Sequence, residues 1–357
     1  MKSSLKRWWL SPLTLLICIV ALHLFALRGD WVEKIYSSYI YQPIAFVLRI
    51  LTSWLPFSVG DVLYGAAFLW LLIKTIQFFF RKPTWPKFFV ALRNLLVKCL
   101  WVYLIFLLAW GLNYYRYGIG YKLKIYPGMY STGDLKTVIA KMRDQLNMNR
   151  KLIDSLHLNY PGHTNLFREA IQLYDSAKIH YPYLTYKHAD VKNMLSGFVG
   201  NYSGFLGYYN PFTGEAQVNT ATPVFTTPFT TCHEIGHQLG FASESEASFV
   251  GYLAIQSGNS PIFKYSVYFD LFAFANGELF NRDSVAAKQN VKLLDTLVKK
   301  DYAEYRKYLS EYKNPVEPLL TKLYGNYLKA HNQPKGIQSY DEVVAWVIAY
   351  YKQFGKI

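Results

Sequence analysis

Two histidines and a glutamate lie within the five-residue segment His233-Glu234-Ile235-Gly236-His237. Residues four apart lie on the same face of an α-helix, so the imidazoles of His233 and His237 would point the same way. Two imidazoles on one face can bind a single Zn²⁺ ion, and Glu234 can reach a water molecule beside it. The sequence therefore predicts one zinc ion per chain, with Glu234 as the catalytic general base and both histidines as ligands.

The residues around this segment predict that it is helical. Pro228 suits the first turn of a helix, because an amide at that position has no partner within the helix. Gly240 follows His237 by three residues and suits the position at which a helix ends. The motif is therefore expected to lie on one short helix between the proline and the glycine.

A catalytic zinc ion needs a third protein ligand and one open position. Two glutamates follow the second histidine closely, Glu244 and Glu246, in the segment SESEASFVGYL. Ser243 is a suitable N-cap for another helix, which would place Glu246 in its first turn. A glutamate at that position can also serve as a capping residue without any metal. Both glutamates therefore remain candidates on spacing alone.

The motif HExxH is typical of zinc metallopeptidases, and its surroundings resemble one branch of them. Metzincins place a third histidine six residues after the second, but Ser243 stands there, so the ligand set is not that of a metzincin. The run Glu246-Ala247-Ser248-Phe249 resembles the segment E-A-x-x-F-A of the short-spaced gluzincins that cleave phage-type repressors. This resemblance implies Glu246 as the third ligand, with Glu244 as the alternative.

A β-hairpin is predicted just before the motif, with strands at residues 204–209 and 215–219 around a turn at Asn210-Pro211 and Gly214. In zincins an antiparallel edge strand above the zinc helix pairs with the extended substrate backbone. Three hairpin residues are therefore candidates for substrate binding, namely Tyr208, Tyr209 and Glu215. An ordinary structural hairpin is the alternative interpretation.

The first 112 residues are strongly apolar and predict about three transmembrane helices, at residues 9–27, 62–80 and 95–112. Between the first two, residues 39–55 are apolar but contain Arg49, which indicates an interfacial or partly embedded segment. From residue 113 the composition becomes that of a globular domain. We therefore expect a membrane region at 1–112 and a second domain at 113–357.

Charge predicts the orientation in the membrane. Residues 1–112 carry 12 basic and 3 acidic residues. Five basic residues lie in the connection between the second and third spans or at the start of the third, namely Arg81, Lys82, Lys87, Arg93 and Lys98. The positive-inside rule then places this connection and the N-terminus in the cytoplasm, with the domain at 113–357 outside it. The inner membrane of a bacterium is the expected location, and the lipid bilayer is an expected partner.

Other features exclude alternative classes. The second half has no basic block interleaved with exposed aromatic residues, so no nucleic-acid partner is expected. Three cysteines do not make a disulfide framework. An intramembrane zinc site is excluded because the residues flanking the motif are too polar for a span. Beyond the motif, Tyr265 is a candidate for stabilising an oxyanion.

The expected fold is mostly α-helical. N-terminal transmembrane helices precede a zincin-like α+β domain with a short β region before the motif helix and a helical C-terminal half. The segments GYYNPFTGEAQVN and HEIGHQLGFASESEA, together with the N-terminal spans, resemble an uncharacterised bacterial family of membrane proteins. A membrane-anchored zinc endopeptidase acting on peptides or proteins of the envelope is the predicted function. A non-proteolytic zinc-binding protein of envelope assembly or sensing is the alternative.

Overall fold

The computed structural model describes residues 12–81 and 84–357. Helices dominate, and the strands of the described residues form one small sheet. The prediction of a mostly helical chain is confirmed. Residues 9–11 of the first predicted span lie outside the described part of the chain.

The N-terminal region contains five α-helices and one π-helical stretch. Its elements are α1 (Pro12–Ala26), α2 (Gly29–Trp31), the π-helical stretch Val32–Ile40, α3 (Tyr41–Thr52), α4 (Val59–Phe80) and α5 (Trp85–Ala109). Helix α1 and the helical stretch after it meet at 92°. On α3, Tyr41, Ala45, Arg49 and Thr52 are buried at spacings of three and four residues, so one face packs against the globular part.

Helices α4 and α5 are both long and apolar enough to cross a membrane. The 22 residues of α4 extend about 33 Å at 1.5 Å per residue, which matches a hydrocarbon core of about 30 Å. Helix α4 covers the second predicted span, at residues 62–80. Helix α5 begins ten residues before the third predicted span, at residues 95–112, and ends three residues before its end. These two helices indicate membrane association.

The globular region surrounds two buried helices. Its helices are α6 (Gly118–Leu123), α7 (Thr132–Ser155), α8 (His163–His180), α9 (Gly197–Ser203), α10 (Thr227–Gln238), α11 (Glu244–Gln256), α12 (Pro261–Arg282), α13 (Ser284–Lys292), α14 (Thr296–Glu311), α15 (Glu317–Ala330) and α16 (Val343–Phe354). Every residue of α10 is buried, as are all but the last of α11. Helices α8, α12 and α16 pack around this pair and enclose it in the main hydrophobic core.

The sheet has three short strands, β1 (Val191–Asn193), β2 (Gly207–Tyr209) and β3 (Ala216–Val218). Strands β2 and β3 form the predicted antiparallel hairpin, with Tyr208 opposite Gln217. Strand β1 pairs with β3 in parallel and was not predicted. The order β1-β3-β2 leaves β2 as an edge strand next to α10.

Candidate metal centre

Three side chains meet at the boundary between α10 and α11. The carboxylate oxygen Oε2 of Glu244 lies 3.2 Å from Nε2 of His233 and 3.2 Å from Nε2 of His237. One ligand atom from each residue lies within 4.8 Å of the others, and all three residues are buried. This His-His-Glu cluster can hold a metal ion.

Local backbone geometry explains why Glu244 reaches the histidines. Gly240 ends α10 with a φ of +88°, and a Cβ atom there would lie 2.8 Å from the ring of Tyr41. This turn reverses the chain, so that α11 runs back along α10. At Gly236 a Cβ atom would come within 3.0 Å of the Ala247 carbonyl oxygen, so only glycine allows the two helices to approach this closely.

Glu246 does not join the cluster, although the resemblance to short-spaced gluzincins implied it as the third ligand. It lies two residues after Glu244 on α11, and two residues correspond to about 200° around a helix. The side chain therefore points away, and its Oε1 accepts a hydrogen bond of 2.9 Å from the amide of Ile119. Burial raises the pKa of Glu246 to about 7. The structure places the alternative, Glu244, beside the two histidines.

Each member of the cluster is oriented by a second hydrogen bond. Nδ1 of His237 donates to the Phe241 carbonyl at 2.8 Å, and Nδ1 of His233 lies 3.0 Å from the hydroxyl of Ser248. The hydroxyl of Tyr324 donates to Oε1 of Glu244 at 2.6 Å. Such outer contacts fix the rings and the carboxylate in the way that metal-binding residues require.

The hydrogen bonding indicates that a positive charge belongs at the centre. Because Nδ1 of His237 donates to a carbonyl, Nε2 of the neutral ring would direct a lone pair at the carboxylate of Glu244. Only a proton or a cation between them makes this contact favourable. Burial opposes a charged ring, but the carboxylate outweighs it and raises the pKa of His237 to about 9. Burial also opposes ionisation of Glu244, yet the two histidines hold its pKa far below the usual value.

The distances from Glu244 to the two histidines suit ligands that share one metal ion. Zinc bonds of about 2.0–2.1 Å place neighbouring ligand atoms about 3.3–3.4 Å apart. The two N–O distances of 3.2 Å are close to that value. The residues present therefore fit a small cation with nitrogen and oxygen ligands.

Glu234 lies beside the cluster without joining it. Its carboxylate is buried, and Oε2 has no hydrogen-bond partner among the described residues. Burial and, to a smaller extent, the charge of Glu244 raise the pKa of Glu234 to about 8. Gly207 of β2 lies directly above it, since a Cβ atom there would be 2.7 Å from Oε1 of Glu234. A cation at the cluster would lower this pKa again, so that the carboxylate could accept a proton.

One protein family matches most of the chain. A family described as "Protein of unknown function (DUF3810)" matches residues 36–348. The chain belongs to this family. No curated protein and no solved structure matches it. The match in this DUF3810 chain begins within the π-helical stretch and reaches α16, so it includes both candidate membrane helices and the His-His-Glu cluster.

A cleft of about 920 Å³ opens onto the cluster and Glu234. All three residues of β2 line it, which places two of the predicted substrate-binding residues, Tyr208 and Tyr209, at the cleft. Their hydroxyl groups are both paired, that of Tyr208 with Asp61 and that of Tyr209 with Tyr41. A smaller cavity of about 160 Å³ lies against Glu234 and extends to Asp270.

The structure does not place Glu215 at the cleft, although the hairpin made it a substrate-binding candidate. Its side chain is fully buried and accepts hydrogen bonds from the amides of Val59 and Gly60, at 2.9 and 2.6 Å. The ammonium group of Lys192 lies 2.7 Å from the same carboxylate. Glu215 therefore attaches the first turn of α4 to the sheet.

Tyr265 also lies outside the cleft. It is buried on α12, and its hydroxyl donates to Asp301 at 2.6 Å. Asp301 in turn forms an ion pair with Arg150 at 2.7 Å. This arrangement belongs to the hydrophobic core, so the structure does not support Tyr265 as an oxyanion donor.

The tyrosines and tryptophan at the cluster were not predicted. Tyr324 binds Glu244, and the ring of Tyr340 stacks against His233 with a centroid distance of 6.0 Å. Trp110 donates from Nε1 to the His237 carbonyl at 3.3 Å. These residues come from α15, the loop before α16 and the end of α5. No local pattern in a chain with 31 tyrosines distinguishes them.

Proposed function

We propose that this protein is a membrane-anchored, zinc-dependent endopeptidase that cleaves peptides or proteins of the bacterial envelope. The observation that carries the proposal is the position of Glu234. A buried carboxylate with an unpaired oxygen lies next to a three-ligand cluster, at the floor of a cleft bordered by an edge strand. A purely structural metal site has no use for such a base.

The residues would divide the reaction as follows. Zn²⁺ held by His233, His237 and Glu244 would polarise the scissile carbonyl and acidify a water molecule. Glu234 would take a proton from that water while the water oxygen bonds to the carbonyl carbon. As the carbon–nitrogen bond breaks, Glu234 would pass the proton to the leaving amine. The peptide backbone would extend along β2, whose outer edge has no strand partner among the described residues.

The membrane orientation is part of the proposal. The start of α4 is held by Glu215, and the end of α5 is followed by Trp110 at the metal centre. Both ends that face the globular region therefore lie on one side, and the basic connection near Arg81 lies at the other. The positive-inside rule then places the connection in the cytoplasm and the metal centre outside it.

Replacement of the general base tests the proposal. The full-length protein, loaded with zinc, would be incubated with a mixed-sequence peptide library and the products identified by mass spectrometry. Glu234→Gln should lower cleavage on the order of 10²–10⁴-fold while zinc stays bound. The exposed Glu311→Gln is the matched control and should cleave like the wild type.

Two results would contradict the proposal. Zinc-loaded wild-type protein that cleaves no peptide would favour the alternative, a non-proteolytic zinc-binding protein of envelope assembly or sensing. Equal cleavage by wild type and Glu234→Gln would show that the activity does not arise at this centre.

A further inference from the structure

One wall of the cleft is a membrane-spanning helix. Asp61, Tyr64, Gly65 and Phe68 of α4 line the cleft, and their spacing places them on one face of the helix. They extend over about 10 Å of a helix about 33 Å long. The rest of α4 is exposed, with Gly60 its only buried residue, so lipid would surround it. The cleft therefore extends along about two turns of a candidate membrane-spanning helix.

The second membrane helix contributes the facing wall. Phe106 near the end of α5 and Trp110 just after it also line the cleft. The ring of Trp110 lies 6.0 Å from that of His237, so the metal centre lies directly at the end of the span. Further from the globular region the helices touch, with Nζ of Lys98 4.4 Å from the centre of the Trp70 ring. The cleft thus occupies the space between α4 and α5 at their outer ends.

Two helices that border the cleft beside α4 carry exposed apolar side chains. Val199 of α9 lines the cleft and is 63% exposed, and its neighbour Phe198 is 64% exposed. On α15, which contributes Tyr324 and Tyr327 to the cleft, Leu319 and Leu323 are each 57% exposed. Asp61 connects the segment before α9 to the start of α4 by accepting a hydrogen bond from the Leu195 amide at 2.6 Å. Exposed apolar side chains next to a membrane span suit contact with lipid, so these would rest in the outer surface of the bilayer.

We propose that the substrates are polypeptides anchored in the same membrane by an apolar segment. They enter the cleft sideways between α4 and α5 and are cut within a few residues of the membrane surface. This inference rests on the proposed peptidase function and names its substrate class.

The edge strand favours a polypeptide over a lipid as the substrate. Asn210 donates to the Glu215 carbonyl and Asn219 donates to the Leu206 carbonyl, so the paired positions of this strand are 206, 208 and 210. Backbone groups alternate in direction along a strand, so those of Gly207 and Tyr209 face away from β3. An extended peptide can bind to them, whereas a lipid has no matching row of donors and acceptors.

The experiment compares three peptide substrates with full-length, zinc-loaded protein in vesicles of phosphatidylethanolamine and phosphatidylglycerol. In the first, a mixed-sequence decapeptide library is fused directly to an apolar transmembrane helix in the same vesicle. In the second, a flexible Gly/Ser spacer of about 30 residues separates the library from that helix. In the third, the library is free in solution. The second substrate controls for the concentrating effect of membrane attachment.

A matched pair of variants tests the wall formed by α4. Gly65→Leu would fill the cleft, since a Cβ atom at Gly65 meets nothing within 4 Å. Ala67→Leu places the same side chain on another, exposed face of the same helix. Zinc content and the thermal unfolding midpoint report whether each variant is folded. If Gly65→Leu fails to fold, the comparison of the three substrates with wild-type protein still tests the proposed substrate class.

We expect the directly fused library to be cleaved on the order of tenfold faster than the spaced one. Gly65→Leu should remove this difference, and Ala67→Leu should keep it. Equal cleavage of all three substrates would overturn the inference while the peptidase function stands. No cleavage of any substrate would overturn both. Fatty acid released by wild type but not by Glu234→Gln would replace the polypeptide with a lipid and also overturn it.

Discussion

Single hydrogen bonds orient the side chains of the candidate metal centre. Tyr324 contributes one hydrogen bond, of 2.6 Å, to the oxygen of Glu244 that faces away from the histidines. The phenol thereby keeps the carboxylate in the rotamer that points Oε2 at both imidazoles. Outer contacts of this kind commonly change metal affinity by 10–100-fold.

Tyr324→Phe should therefore lower zinc affinity on the order of 10–100-fold, as measured by competition with a chelating dye. Tyr302→Phe is the matched control, because it removes a hydrogen bond of the same length to the Phe269 carbonyl, away from the cleft. Unchanged affinity in Tyr324→Phe would mean that the hydroxyl does not orient the ligand.

Among the single residues, the spacing of the motif alone predicted His233 and His237 as ligands and Glu234 as the base. It could not decide between Glu244 and Glu246, since they point to opposite sides of α11. Which of them meets the histidines depends on how α11 packs against α10, and that depends on the close approach at Gly236. The resemblance to the gluzincin segment E-A-x-x-F-A favoured Glu246 instead.

The elements around the cluster bring the edge strand β2 next to Glu234. Strand β2 lies over α10 because Gly207 has no side chain to collide with Glu234. A Cβ atom there would also lie 2.8 Å from the Gln217 carbonyl oxygen. The position therefore excludes even alanine unless the strand shifts.

Gly207→Ala should lower peptide cleavage on the order of tenfold or more while zinc affinity changes little, because the added methyl group displaces the edge strand and not the ligands. Cleavage rates and zinc content of the same preparation are the measurements. Gly162→Ala is the control, since a Cβ atom there meets nothing within 4 Å. Normal cleavage by Gly207→Ala would show that β2 takes no part in the reaction.

Local patterns predicted most elements, and the errors lie where tertiary contacts decide. The β2–β3 hairpin was predicted from its turn, but the parallel partner β1 comes from a separate segment and has only three residues. The apolar pattern of residues 284–299 predicts a single helix. The structure ends α13 at Lys292 and begins α14 at Thr296, after Asp295 caps the amide of Leu297 at 2.9 Å.

The molecule as a whole joins two candidate membrane helices to a buried His-His-Glu cluster. Hydropathy predicted α4 and α5, whose exposed apolar surfaces are long enough to span. Hydropathy did not predict that α3 packs on the globular region. A buried arginine needs hydrogen-bond partners, and those of Arg49 are carbonyls distant in sequence, such as that of His188 at 2.9 Å. The 9–27 span ends in a bend and is only partly described.

Orientation can be measured by cysteine labelling in intact cells. In a Cys18→Ser, Cys99→Ser background, Ser155→Cys should react with a membrane-impermeant maleimide from outside, because the positive-inside rule places the globular region there. Arg81→Cys should react only after the membrane is made permeable. The remaining Cys232 is buried and serves as the internal control. The reverse labelling pattern would place the metal centre in the cytoplasm.

Whether the His-His-Glu cluster binds zinc can be measured by elemental mass spectrometry of the purified full-length wild type, Glu244→Gln and Glu246→Gln. We expect one zinc per chain in wild type and in Glu246→Gln. In Glu244→Gln we expect a loss of zinc affinity on the order of 100-fold or more. Either of two results would contradict this expectation. One is folded wild-type protein that takes up no zinc when zinc is supplied. The other is loss of zinc in Glu246→Gln together with retention of zinc in Glu244→Gln.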